Sequence, residues 1–228
     1  MGPHAIVSYD DTPNDHDALM LGSILGEAGV RLTLAYVRHT TQVQRAREEL
    51  EEHEAEALLE RGASWLAHNE VERRVVVSAS TGEGLKWLAE EEAADIVVFG
   101  SDYRTAAGHV APGTSAQALL EGGRAAVAVA PANYRSDRAP RINTVGVLAG
   151  AGDEAAIETA RGLAACFDAT LVQVGRRVDL LVVGSRPEAP EGRVMISSQA
   201  HKMIEDASSP VLVLARGIPV VFEALIAA

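Results

Sequence analysis

The sequence predicts an α/β protein with a doubly wound parallel sheet, followed by a second, truncated copy of the same unit. Three observations carry this. Segments of strand-forming residues alternate with segments of helical periodicity, which is the pattern of βαβ crossovers. The run Ile96-Val97-Val98-Phe99 is apolar on both faces, as strands inside a parallel sheet are. Finally, the octet Ala94-Asp95-Ile96-Val97-Val98-Phe99-Gly100-Ser101 is echoed by Val178-Asp179-Leu180-Leu181-Val182-Val183-Gly184-Ser185. Gly100 to Val127 and Gly184 to Val211 both span 27 positions, so the echo extends across a loop and a helix.

The elements follow in order. His4 to Tyr9 reads as a strand, and Asp10, Asp11, Thr12, Pro13 and Asn14 supply turn chemistry after it. Ala18, Leu21, Leu25 and Ala28 recur at helical steps, with Gly29 placed to end that helix. Arg31 to Val37 is a second strand. Thr41 with Gln44 forms a capping box for a long helix with apolar positions at Val43, Ala46, Leu50, Ala57 and Leu58. Arg74 to Val77 is the third strand, Ser80 with Glu83 repeats the capping pattern before a helix through Leu85 and Leu88, and Asp95 to Phe99 is the fourth. A loop from Gly100 to Pro112, a helix near Ser115 to Leu120 and a strand from Ala125 to Ala130 complete the unit.

These boundaries divide the chain into a complete unit over 1–131, a polar linker over 132–141 and a shortened unit over 142–228. Shortening is visible in the spacing. Val37 precedes Gly100 by 63 positions, whereas its counterpart Val174 precedes Gly184 by only 10, so a helix, strand and helix are absent from the second unit. Thr170 to Val174 is therefore expected to be displaced, irregular or continuous with the next strand, because three residues reach about 10 Å and a parallel crossover usually takes about a dozen residues.

Composition narrows the function. A net charge of −12 over 228 residues repels phosphate backbones and anionic lipid headgroups, which disfavours nucleic-acid or membrane-surface binding. No apolar run approaches the ~20 residues of a bilayer span, and Met1 to Ile6 has no secretory pattern, so a cytoplasmic location is expected. The single cysteine, Cys166, excludes an internal disulfide and reads as a buried structural thiol. His16, His39 and His109 read as solvated loop residues, without metal-ligand spacing.

In a doubly wound sheet, ligands sit at the carboxyl ends of the strands. Gly100, at the end of a strand, would let a phosphate approach the backbone, and Gly113, Thr114 and Ser115 would present amides and hydroxyls at a helix start. Gly108-x4-Gly113-Thr114-Ser115 is not a P-loop, because the phosphate-reaching lysine is missing.

Gly100-x2-Tyr103-x9-Gly113-Thr114 resembles the G-x2-G-x9-G-[ST] motif of ATP-binding universal stress proteins, with tyrosine at the second glycine. Asp10-Asp11-Thr12 is similar to that family's Asp-Gly-Ser turn. The resemblance covers 4–131 well and 142–216 in patches. It implies a five-stranded parallel sheet with four helices. It also implies an adenine-nucleotide site, ATP with Mg accompanying it, formed by Asp10, Thr12, Val37, Gly100, Ser101, Gly113, Thr114 and Ser115. Asp10 would hold the ribose or base edge, and main-chain groups of Val37 would meet adenine. Self-association is implied as well, because family members pair through their last strands; here the two halves can meet internally or the chain can form a homodimer.

Tyr103 and Asp102 depart from the motif and predict weakened triphosphate binding, with Arg104 available to offset Asp102 and the Tyr103 ring available to close over a ligand. In the second unit Pro187 replaces the second motif glycine and Ser197-Ser198 replaces Gly-[ST], so no nucleotide is expected there. Two functional readings follow: a stress-response regulatory protein that binds an adenine nucleotide without efficient turnover, and a ligand-free interaction module of the same family. An ATP pyrophosphatase is disfavoured, because no S-G-G-x-D-S-like loop follows the first strand.

Overall fold

The computed structural model describes residues 2–39, 45–66, 70–137, 140–150, 153–173 and 177–222. Strand β1 (His4–Ser8) leads to helix α1 (Pro13–Glu27), whose N-terminus is fixed by Thr12 and Asp15 in a reciprocal capping box. Next come β2 (Arg31–His39), α2 (Arg45–Trp65), β3 (Val71–Ser78), α3 (Thr81–Glu91) and β4 (Ile96–Gly100). Helix α4 (Thr114–Leu120) and β5 (Ala126–Ala130) follow, then a 3-10 turn at Tyr134–Ser136. The remaining elements are β6 (Thr144–Leu148), α5 (Glu154–Cys166), β7 (Thr170–Gln173), β8 (Leu180–Val183), α6 (Ser198–Glu205) and β9 (Val211–Val213).

The proposed capping residues Thr41 and Gln44, and the side chains of Val43, Ala46 and Leu50, lie outside the described residues. Further along α2, Ala57 is exposed, and the buried stripe runs instead through Ala55 and Leu59. The two readings differ by part of a helical turn, a shift that alanine-rich sequence leaves open.

One sheet holds all nine strands in the order β3-β2-β1-β4-β5-β9-β8-β6-β7. Every pairing is parallel except β5 with β9. One core lies under α1, α2 and α5, and the other under α3, α4 and α6, so central strands such as β1, β4 and β5 are apolar on both faces. The antiparallel seam sets Val127 opposite Val213, Ala128 opposite Leu212 and Val129 opposite Val211.

Hydrogen bonds on either side of this seam recur at a constant offset of 84 positions. Ser101 Oγ donates to the Ala130 carbonyl and Ser185 Oγ to the Leu214 carbonyl, each at 2.7 Å. The Val110 amide donates to Ala207 O, and the counterpart Val194 amide donates to Gly123 O. Such reciprocity (i to j, and j's equivalent to i's) is the mark of an approximate two-fold axis.

The structure corrects the expectation for Thr170–Val174. Thr170–Gln173 forms β7 and pairs in parallel with β6, on the side away from β8, as β2 flanks β1; Val174 lies outside the described residues. The expectation assumed a strand-length return. Gln173 is level with Val147 and Leu180 with Val145, so the chain steps back only two rungs while crossing two strand spacings of about 5 Å each. Six residues span that. Val178 completes the crossing over Gly146, where an added Cβ would come within 2.8 Å of Val178 Cγ1.

Candidate functional site

A cavity of about 960 Å³ opens at the carboxyl ends of β1 and β4, where the chain runs off to opposite sides of the sheet. Asp10, Thr12, Gly100, Ser101, Gly113, Thr114 and Ser115 all line it. Val37 does not. It lines a neighbouring cavity of about 620 Å³ with His39, Leu58 and Arg61, and Asp10 borders both spaces.

The floor is the turn after β1. Asp11 occupies the middle of that turn with φ of 57°, a left-handed conformation that glycine adopts freely and Asp tolerates. Its carboxylate accepts from Tyr9 Oη at 2.8 Å and from the Arg61 guanidinium at 2.9 Å, and these bonds hold the Asp11 carboxyl below its ordinary range. The Asp15 carboxylate turns inward and accepts from the Asp10 and Thr12 amides, each at 3.0 Å. Burial raises the Asp15 carboxyl. Burial also raises Asp10, and the charge of Asp15 adds to that shift.

Several of these residues also carry structural contacts. Gly100 has a packing requirement of its own: a Cβ there would stand 1.9 Å from the Asn14 carbonyl oxygen, so the first turn of α1 rests directly on it. Ser101 is buried and fully engaged, donating to Ala130 O and accepting from the Ala111 amide at 3.2 Å. Its hydroxyl braces the loop. Thr12 likewise spends its hydroxyl on Asp15. Thr114 and Ser115 line the cavity and, among the described residues, make no side-chain hydrogen bond, but α4 is only seven residues long.

The loop from Ser101 to Pro112 decides what the far end of the cavity can hold. Asp102 Oδ1 accepts from the Arg104 amide at 2.9 Å, and a Cβ built on Gly113 would lie 4.0 Å from Asp102 Oδ2. A carboxylate thus stands in front of the α4 N-terminus. Arg104 does not offset it through its side chain: Nε donates to Tyr103 Oη at 2.6 Å, and the guanidinium lies 4.8 Å from that ring's centroid. Tyr103 itself is 72% exposed. Asp102 thus brings a negative charge to the end of the cavity formed by Gly113, Thr114 and Ser115.

Asp17 and Arg135 were not anticipated. Asp17 is fully buried on α1 and accepts from the amides of Asn133 and Arg135, at 2.8 and 2.9 Å, and from Arg135 Nη1 at 3.0 Å. Arg135 Nη1 also donates to Pro13 O, so the segment after β5 becomes a wall of the cavity. An acid at the helical step of Leu21, Ile24 and Ala28 was the available signal, since that stripe faces the core. His16, expected in a loop, lies on α1 and stacks between Tyr9 and Trp65, with ring centroids 6.0 and 4.8 Å away. Cys166 is half-buried at the end of α5, and burial raises its thiol. Among the described residues no cluster of His, Cys, Asp or Glu could hold a metal ion, and no helix is long and apolar enough to cross a membrane.

At the corresponding place in the second half, Gly184 is covered. A Cβ there would stand 1.6 Å from Asp153 Oδ2, so the α5 N-cap carboxylate lies against the strand end.

Fold and cavity together define a doubly wound α/β protein with its candidate site at the switch point of the sheet. The chain belongs to the universal stress protein family, whose sequence profile matches residues 3–131. A universal stress protein from Archaeoglobus fulgidus has a similar fold: TM-score 0.70, 13% identity, 94% of this chain and 98% of that one covered. A putative universal stress protein from Pseudomonas aeruginosa matches with TM-score 0.61 and 13% identity, covering 92% of each chain. A functionally unknown protein from the same species gives TM-score 0.62 at 13% identity, over 93% of this chain and 92% of that one. At these identities the likeness is one of fold. No curated protein sequence matches the chain.

Proposed function

We propose that the chain is a stress-response regulatory protein whose first half, 1–131, binds an adenine nucleotide or nucleoside as a signal and does not turn it over efficiently. The observation that carries this reading is the cavity at the switch point, which gathers Asp10, Gly100, Gly113, Thr114 and Ser115. Its volume lies within the usual range for small-molecule sites, roughly 300 to 1,000 Å³. Asp10 borders both cavities and suits the ribose or base edge. The second half, 142–228, is a shortened copy that serves as a built-in partner, with β9 filling the place a second subunit's last strand would take. The β5–β9 pairing and the constant offset of its bonds support this.

Isothermal titration of the full chain with adenosine, AMP, ADP and ATP tests the reading. Saturable binding of at least one compound, weakened about tenfold or more by Asp10→Ala, is expected, with no burst of phosphate or pyrophosphate.

A second reading is favoured by the Asp102 carboxylate beside Gly113: the chain is an interaction module that has lost its ligand. Absence of heat and of any thermal stabilisation with all four compounds would select it.

A further inference from the structure

We infer, building on the adenine reading above, that the cavity takes an adenine compound with at most one phosphate, adenosine or its monophosphate, and rejects ATP by charge. Three independent placements lead there. First, Asp102 stands where the phosphate chain would have to run. Its Oδ1 is pinned by the Arg104 amide, and its own amide is tied to Ala111 O at 2.8 Å, so Oδ2 is presented toward Gly113 by a fixed backbone.

Second, the Asn14 carbonyl oxygen packs against Gly100 at the cavity floor, 1.9 Å from where a Cβ would stand. A carbonyl presents negative partial charge, so this contact adds to the repulsion that an anion meets there.

Third, the cations near the cavity are already committed. Arg135 is paired with the buried Asp17 and donates to Pro13 O, and the Arg104 guanidinium is drawn onto Tyr103. Against them stand three lining carboxylates, Asp10, Asp15 and Asp102. A neutral nucleoside avoids this field, and a monophosphate can keep its charge toward the open mouth. A triphosphate carries its charges along the length of the loop.

The test compares adenosine, AMP and ATP by calorimetry on the full chain across a range of ionic strength. ATP is expected to bind at least tenfold more weakly than adenosine at low salt, and its affinity should rise as salt screens the repulsion, the Debye length falling from about 30 Å at 0.01 M to about 10 Å at 0.1 M. Asp102→Asn should shift the ATP to adenosine affinity ratio toward ATP by about fivefold or more. ATP binding as tightly as adenosine overturns the inference, as does ATP affinity falling with salt or a ratio unmoved by Asp102→Asn. In each of those cases the adenine reading stands. If none of the three compounds binds, the adenine reading itself fails and this inference falls with it.

Discussion

Ala128 and Leu212 face each other across the antiparallel β5–β9 seam, and they are also each other's counterparts at the 84-residue offset. The approximate two-fold axis therefore passes between them, and both are buried where the two halves of the sheet meet. A defect at this pair should be felt by the whole molecule.

Leu212→Ala is expected to cost about 3 kcal/mol, a transfer loss plus the cavity it leaves. Both tryptophans, Trp65 and Trp87, lie in the first half, so their fluorescence follows that half while circular dichroism follows the whole sheet. Wild type should unfold with coincident curves by both probes. Leu212→Asp should separate them; curves that remain coincident in that variant would mean the seam does not couple the halves.

The Asp17–Arg135 contact joins a fully buried carboxylate to a largely buried guanidinium, 118 positions apart. Asp17→Ala strands the Arg135 charge and two main-chain amides, so a loss of about 3 to 5 kcal/mol is expected. Urea denaturation measures it. Asp17→Asn, which retains the shape and an acceptor, should lose less.

Gly100 and Gly113 should respond unequally to alanine. At Gly100 the new Cβ meets the Asn14 carbonyl, and a cost of about 3 kcal/mol or more is expected. At Gly113 the nearest atom is 3.9 Å away and φ is −71°, so Gly113→Ala should change stability by less than about 0.5 kcal/mol. Thermal denaturation of the two variants decides the matter; similar losses would contradict the packing described at the cavity floor.

Gly146 leaves room for Val178 where the chain crosses from β7 to β8. Gly146→Ala should destabilise by about 1 to 3 kcal/mol, and Val178→Ala in the same chain should restore part of the loss. Additive losses in the double variant would mean that the two side chains do not compete for one space.

His4 is buried on β1, with Nε2 at 2.8 Å from Thr33 Oγ1, and burial followed by the Arg31 charge lowers its pKa below 6.5. The unfolded chain then binds more protons than the folded one between that lowered value and 6.5, so stability is present above 6.5 and is lost as pH falls through the window. Asp10, Asp15 and Asp153, with raised pKa values, act in the opposite sense above 3.8. Urea midpoints should fall between pH 7 and pH 5, and His4→Gln should flatten that slope.

Residue pattern alone determined the alternation of elements, the strand ends that could bear a site and the 27-residue spacing that repeats across the chain. Each rests on local chemistry: period 2 or 3.6, turn residues, caps. The tertiary structure decided what those residues do. Gly100 is reserved for Asn14, and Ser101 is consumed by Ala130. Asp102 occupies the front of α4, and Asp17 reaches Arg135. Such pairings join residues up to 118 positions apart, and they form only once the sheet order has brought the ends of β1, β4 and β5 together. The same holds for β7. Counting residues suggested too short a return, but the distance to be crossed depends on where each strand stops, and register is fixed by packing against neighbours rather than by the strand's own sequence.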